Sequence, residues 1–178
     1  VYGVLKAQGT VEDSIIFENY GDSKWQGFTM KNQTEETILE YVRITGAHKD
    51  VGGGINLDNS NPVMNHVTVS YCSCNIVGGG ICVVGGTDFI MKNLSIHNNT
   101  AAHFGFGGGG GIWVEYADHI TIQDSKVFNN DSGMEEGGGI NIDFTNKIKV
   151  LNIYGAQEKQ QLPLLLLLRI SSLSILYT

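Results

Sequence analysis

The sequence predicts an all-β solenoid of stacked parallel strands, and a glycine repeat is the first observation behind that prediction. The tetrapeptide Gly-Gly-Gly-Ile occurs four times and ends at Ile55, Ile81, Ile112 and Ile140. These isoleucines are 26, 31 and 28 residues apart. A period of about 20–50 residues is typical of repeat proteins in which each unit forms one layer and buries its apolar face against the next.

Short alternating runs in every repeat are the second observation. A first run follows the glycines: Ile55-Asn56-Leu57, Ile81-Cys82-Val83, Ile112-Trp113-Val114 and Ile140-Asn141-Ile142. A second lies about a dozen residues later: Val67-Thr68-Val69, Leu94-Ser95-Ile96, Ile120-Thr121-Ile122 and Ile148-Lys149-Val150. Apolar residues at every second position indicate β-strands, and the units contain no helix-spaced apolar pattern. Equivalent strands of successive coils would then stack about 4.8 Å apart.

The glycines and the upstream sequence extend the same prediction. Three successive glycines allow positive φ angles and close contact between the backbones of neighbouring coils. Phe28 precedes Ile55 by 27 residues, so a diverged repeat lies upstream of the first Gly-Gly-Gly-Ile. We therefore expect about six coils, which begin near Val1, Phe28, Ile55, Ile81, Ile112 and Ile140.

An asparagine after the second strand completes the pattern. Asn99 and Asn130 hold this position in two coils, whereas Cys72 holds it in the preceding one, so the column is incomplete. With the glycine motif, this pattern resembles right-handed, single-stranded parallel β-helix proteins of the pectate-lyase-like superfamily. It is most similar to the Gly-Gly-x-Ile repeats of bacterial surface proteins such as polymorphic outer-membrane proteins. The resemblance covers roughly residues 1–156 and implies the fold more strongly than an activity.

Composition and chain organisation bound the function. The chain has 178 residues and a net charge of −7, with 11 basic residues and no basic cluster, which argues against a nucleic-acid partner. Residues 1–156 are predicted to form the β-helix, as part of a longer solenoid. Residues 157–178 form an apolar tail without the repeat, either a cap or sequence unrelated to the fold. Pro163 and Arg169 interrupt that tail, so we expect no transmembrane span.

The best candidate site lies on the outward face of the first strands. Alternation places Thr29, Asn56, Cys82, Trp113 and Asn141 in one outward column, and Lys31, Asp58, Val84, Glu115 and Asp143 in the next. Glu115 and Asp143 would lie on adjacent coils, about 5 Å apart. With Asp58 and solvent they could bind Ca²⁺, which prefers oxygen ligands. The adjacent rings of Trp113 and Tyr116 would suit a sugar. The alternative is an ordinary solvated face.

Two functional classes remain open. The first is a non-catalytic extracellular or cell-surface module: an adhesin, a stalk or a glycan-binding scaffold, expected to be monomeric. The second is a polysaccharide lyase or glycoside hydrolase, or part of one. The lyase branch of the superfamily implies Ca²⁺-binding carboxylates with a nearby Arg or Lys as base. Arg43 and Lys126 instead stack with Thr68 and Ser95 in another sheet, so the sequence favours the non-catalytic class.

Three cysteines also require an assignment. Cys72, Cys74 and Cys82 show neither a disulfide framework nor the spacing of a zinc site. We expect small buried thiols, because free cysteine packs as a small hydrophobic side chain. A metal or redox role is the alternative.

Overall fold

The computed structural model describes residues 3–34, 36–101, 108–133 and 138–154, which contain sixteen short strands and no helix. In chain order the strands are β1 (Lys6–Gln8), β2 (Ile15–Phe17), β3 (Phe28–Lys31), β4 (Ile38–Thr45), β5 (His48–Lys49), β6 (Ile55–Asp58), β7 (Val63–Ser70), β8 (Ser73–Cys74), β9 (Ile81–Val84), β10 (Ile90–Lys92), β11 (Ser95–His97), β12 (Thr100–Ala101), β13 (Ile112–Glu115), β14 (Thr121–Phe128), β15 (Ile140–Asp143) and β16 (Lys149–Tyr154).

The strands form three parallel sheets, and three of the coils have a described strand in each of them. Sheet 1 contains β3, β6, β9, β13 and β15 in that spatial order. Sheet 2 contains β1, β2, β4, β7, β10, β11, β14 and β16, and sheet 3 contains β5, β8 and β12. Five coils begin in sheet 1, at the predicted positions from Phe28 to Ile140, and β1 and β2 belong to a partial coil before them. The solenoid therefore has about five turns rather than the expected six, and the predicted start at Val1 lies outside the described residues.

The register of sheet 1 is the one that the repeat predicts. Phe28, Ile55, Ile81, Ile112 and Ile140 pair in one continuous column. In sheet 2, Arg43 pairs with Thr68, Thr68 with Ser95, and Ser95 with Lys126, as expected. The sheet 2 strands are longer than the predicted runs. They bend at one residue per coil with a positive φ: Tyr41, His66, Asn93, Asp124 and Asn152.

The core is a stack of apolar side chains inside the coils. The two inward columns of sheet 1 are at most 1% exposed from Ile55 onward: Ile55, Ile81, Ile112 and Ile140, then Leu57, Val83, Val114 and Ile142. Sheet 2 contributes Leu39, Met64, Met91 and Ile122 to the same cluster. Burying one such side chain stabilises the fold by about 1.5–3 kcal/mol. The prediction of the inward face is thus confirmed.

The glycines form the corner between sheets 3 and 1. Gly52, Gly78 and Gly109 have φ angles of 63°, 69° and 66°. A Cβ atom on Gly53 would collide with the carbonyl oxygen of Gly79 in the next coil. Only glycine allows both the left-handed turn and the close stacking of the coils, as predicted.

One outward column of sheet 1 differs from the prediction. Cys82, Trp113 and Asn141 lie outside the apolar core cluster, yet they are only 0%, 8% and 5% exposed. At the β3 end of the sheet, one side chain of sheet 3 reaches over the outer side of sheet 1. Lys49 on β5 donates hydrogen bonds to the carbonyl oxygen of Phe28 (2.5 Å) and to Thr29 Oγ1 (3.3 Å) on β3.

Some predictions fall on residues outside the described part. They are Gly137 of the fourth glycine motif and the tail 157–178. Within the described ranges, no helix has the length and apolar character needed to cross a membrane.

Candidate functional site on the outer edge of sheet 1

Glu115 and Asp143 lie on neighbouring rungs of sheet 1, as the sequence predicts. They end β13 and β15 and are direct partners in the parallel register. Both side chains are half-buried. Adjacent strands are about 4.8 Å apart, so the two carboxylates lie side by side on the outer face.

The described side chains leave this pair without a compensating positive charge. Glu115 makes no side-chain hydrogen bond or ion pair within the described residues. Asp143 Oδ1 accepts a hydrogen bond from the backbone N–H of Phe144, 3.0 Å away. On its other side, Glu115 pairs with the uncharged residue Val84 of β9. Two negative charges therefore lie close together at the surface.

The expected participation of Asp58 is not supported by this geometry. Asp58 pairs with Val84, and Val84 pairs with Glu115, so one strand lies between the two acidic residues. Its Oδ2 instead forms an ion pair with Lys31 Nζ at 2.9 Å. Within the described residues, no group of three or more His, Cys, Asp or Glu side chains could hold a metal ion. The set Asp58, Glu115 and Asp143 is thus not brought together as one calcium site.

Tyr116 and Phe144 form an exposed aromatic platform directly after the two carboxylates. Their rings stack with centroids 5.3 Å apart and an interplanar angle of 13°. The two residues are 61% and 54% exposed. Together with Glu115 and Asp143 they form what we call the acidic aromatic edge.

The backbone at this platform is unfavourable for aromatic residues. Tyr116 and Phe144 have φ angles of 52° and 43°. The corresponding corners of the other coils carry Asn32, Asn59 and Gly85, the residue types that tolerate a left-handed conformation. A bulky residue at positive φ is an outlier, and such strain gathers at functional sites.

Trp113 does not serve as the exposed ring that the sequence predicts. It is only 8% exposed, although alternation places its side chain on the outer side of β13. Its Nε1 is buried and finds no hydrogen-bond partner in the described structure. An unsatisfied buried donor costs about 1–3 kcal/mol. Trp113 is therefore a buried neighbour of Glu115 with an unused donor.

Phe144 was not predicted as a site residue, although its spacing from Tyr116 indicates that the two residues align. It follows Tyr116 by 28 residues, which is the spacing between Ile112 and Ile140. Extending the columns one position past Glu115 and Asp143 would have paired the two rings. The alternating pattern ends at the carboxylates, so it does not indicate whether the next side chains point outward.

The cysteines are buried, as expected. Cys72, Cys74 and Cys82 are at most 1% exposed. Burial raises the pKa of Cys72 and of Cys74 to about 11, and that of Cys82 to about 12. These thiols therefore remain protonated at neutral pH, which opposes nucleophilic or redox chemistry.

Lys49 is the described lysine with a strongly shifted pKa. Burial lowers the pKa of Lys49 to about 8, and the nearby thiols Cys82, Cys72 and Cys74 act in the opposite direction. Its hydrogen bonds lie on β3, which β6 and β9 separate from β13. An amine of this kind is a general base in some enzymes. Here it does not converge with Glu115 and Asp143.

Three parallel sheets wound around a single apolar core define this protein as a β-solenoid. The chain belongs to the right-handed β-helix family, because the sequence model of the family described as "Right handed beta helix region" matches residues 3–155. No curated protein and no solved structure matches the chain.

Proposed function

We propose that this protein is a non-catalytic β-helix module that binds glycans through the acidic aromatic edge. The observation that carries the proposal is the exposed stack of Tyr116 and Phe144 beside Glu115 and Asp143. An aromatic face gives apolar contact to the C–H side of a sugar ring, and carboxylates accept hydrogen bonds from its hydroxyl groups. Exposed rings on a rigid solenoid need little ordering when a ligand binds.

The separation of the basic groups supports the non-catalytic class. Arg43 lies on β4 in sheet 2, and Lys49 contacts β3 at the other end of sheet 1. Neither residue is on a strand next to Glu115 or Asp143. A lyase needs a base within reach of the proton that it removes. The acidic aromatic edge instead offers recognition groups: two acceptors and two ring faces.

The proposal includes an extracellular or cell-surface location and a monomeric module. The similarity of the Gly-Gly-x-Ile units to those of bacterial surface proteins supports this location. The net charge of −7 disfavours nucleic-acid partners. A solenoid suits such a role, because it holds a binding edge at a fixed distance from its attachment point.

Glycan binding by a pair of matched variants tests the proposal. Tyr116→Ala removes half of the platform, and Tyr71→Ala removes an aromatic residue with the same exposure (60%) and a similar φ of 53° at another corner. We expect an array of oligosaccharides to identify a ligand. Calorimetry should then show affinity lowered about tenfold or more by Tyr116→Ala and unchanged by Tyr71→Ala.

Two outcomes would overturn the proposal. Binding that is equally weakened by both variants, or absent for every oligosaccharide, would show that the stack is not a glycan platform. Release of shorter or unsaturated sugars from a bound oligosaccharide would show an enzyme. Two carboxyls about 5 Å apart are compatible with retaining glycoside hydrolysis, so product analysis accompanies the binding measurement.

A further inference from the structure

We infer that the ligand of the acidic aromatic edge is a cationic saccharide, an oligomer of free amino sugars, rather than an acidic glycan bridged by calcium. The inference rests on the proposed glycan-binding function and specifies its ligand class. It is carried by the uncompensated pair Glu115 and Asp143 and by the exposed, stacked rings that directly follow them in the chain.

The charges near the pair favour a positively charged ligand. Lys31, the cation in the same column, is paired with Asp58 two rungs away from Glu115. Lys147, four residues after Asp143, has its Nζ 3.0 Å from His119 Nε2. The chain carries seven more negative than positive charges, so an acidic polysaccharide meets a repulsive field.

The number of ligand groups distinguishes an ammonium ion from Ca²⁺. Calcium takes six to eight oxygen ligands, whereas this edge supplies two carboxylates, one of which already accepts the Phe144 N–H. An ammonium group has three donors and can bridge two carboxylates directly. Tyr116 and Phe144 directly follow the two carboxylates in the chain, and the outer faces of their stacked rings attract cations.

The test compares short glucosamine oligomers, their fully N-acetylated counterparts, and galacturonic acid oligomers with and without Ca²⁺. Calorimetry is run at a pH below that of the sugar amine's titration. We expect the glucosamine oligomer to bind about tenfold or more tightly than the acetylated one. The double variant Glu115→Gln, Asp143→Asn should abolish that preference. The double variant Glu12→Gln, Asp13→Asn, an exposed acidic pair elsewhere, should retain it and so excludes non-specific charge attraction.

Each other outcome has a defined meaning. Equal binding of the two oligomers, lost with Tyr116→Ala, would overturn this inference while the glycan-binding function stands. Binding of galacturonic acid oligomers that requires Ca²⁺ and disappears with a chelator would also overturn it. Failure of these oligomers to bind, while another oligosaccharide of the array binds, would overturn only this inference. Failure of every oligosaccharide of the array to bind would overturn both proposals.

Discussion

Asn130 Oδ1 accepts two hydrogen bonds from Asn99 of the preceding coil, one from its backbone N–H and one from its Nδ2, both at 3.0 Å. Asn99 is fully buried and continues the column: its Oδ1 accepts the N–H of Cys72 at 3.0 Å, and its Nδ2 donates to Val69 O at 2.9 Å. Cys72 ends the asparagine column, as its sequence position predicts. The ladder satisfies backbone groups where each coil turns from sheet 2 to sheet 3.

Asn99→Ala should strongly destabilise the β-helix. The substitution leaves the Cys72 N–H and Val69 C=O without these partners in the interior, at about 1–3 kcal/mol for each group. Urea denaturation followed by circular dichroism measures the loss. Asn98→Gly is the matched control, because Asn98 is half-exposed and its φ of 56° suits glycine. Similar losses in the two variants would contradict a structural role for the ladder.

Ile112→Ala should cost about 2–5 kcal/mol of unfolding free energy, because it opens a cavity in the inward column of sheet 1. Glu115→Ala is the control on the same strand, since that carboxylate is half-buried and has no described side-chain partner. Denaturant midpoints of both variants measure the difference. Asn141 is unsuitable as an outward control, because it is only 5% exposed. Equal destabilisation at positions 112 and 115 would mean that the inward and outward faces are wrongly assigned.

His97 should make the fold sensitive to mild acid. Burial, and then the positive charge of Arg43, lower the pKa of His97 from its ordinary value of 6.5. Asn98 Nδ2 lies 2.9 Å from Nδ1 and can donate to it in the neutral ring. The unfolded chain therefore takes up a proton first. Stability should fall as the pH drops through about 6.5, and the loss should level off below the folded-state pKa.

Urea midpoints between about pH 8 and pH 5 measure this dependence. His97→Gln should flatten the curve in that range. In the Arg43→Met variant, nuclear magnetic resonance titration should give a higher pKa for His97 than in the wild type, because a nearby positive charge is removed. A His97 that titrates at or above 6.5 in the wild type would contradict the expected direction.

The three thiols should react slowly in the folded protein. Burial raises the pKa of Cys72 and Cys74 to about 11 and of Cys82 to about 12, so few thiolates exist at neutral pH and none is accessible. A chromogenic disulfide reagent should label all three only after denaturation. A cysteine introduced by Tyr71→Cys at an exposed corner is the positive control. Rapid labelling of any native thiol would show that the coil opens readily around that residue.

The sequence by itself determined the solenoid, its register and its inward face. One repeat returns the chain to the same sheet, so equal offsets from each Gly-Gly-Gly-Ile identify partners such as Ile112 with Ile140 and Glu115 with Asp143. Alternation then assigns Ile112 and Val114 to the core. These inferences are local, because each strand pairs with the strand one repeat away in the chain.

Only the tertiary structure decided which outward side chains are accessible. Cys82, Trp113 and Asn141 are buried although their alternation is outward. Left-handed φ angles after β13 and β15 stack Tyr116 on Phe144 and leave both exposed. Alternation specifies the side of a strand, but not the angle between sheets or the direction of a corner. The stacked pair Tyr116 and Phe144 could therefore be recognised only from the three-dimensional structure of the coil.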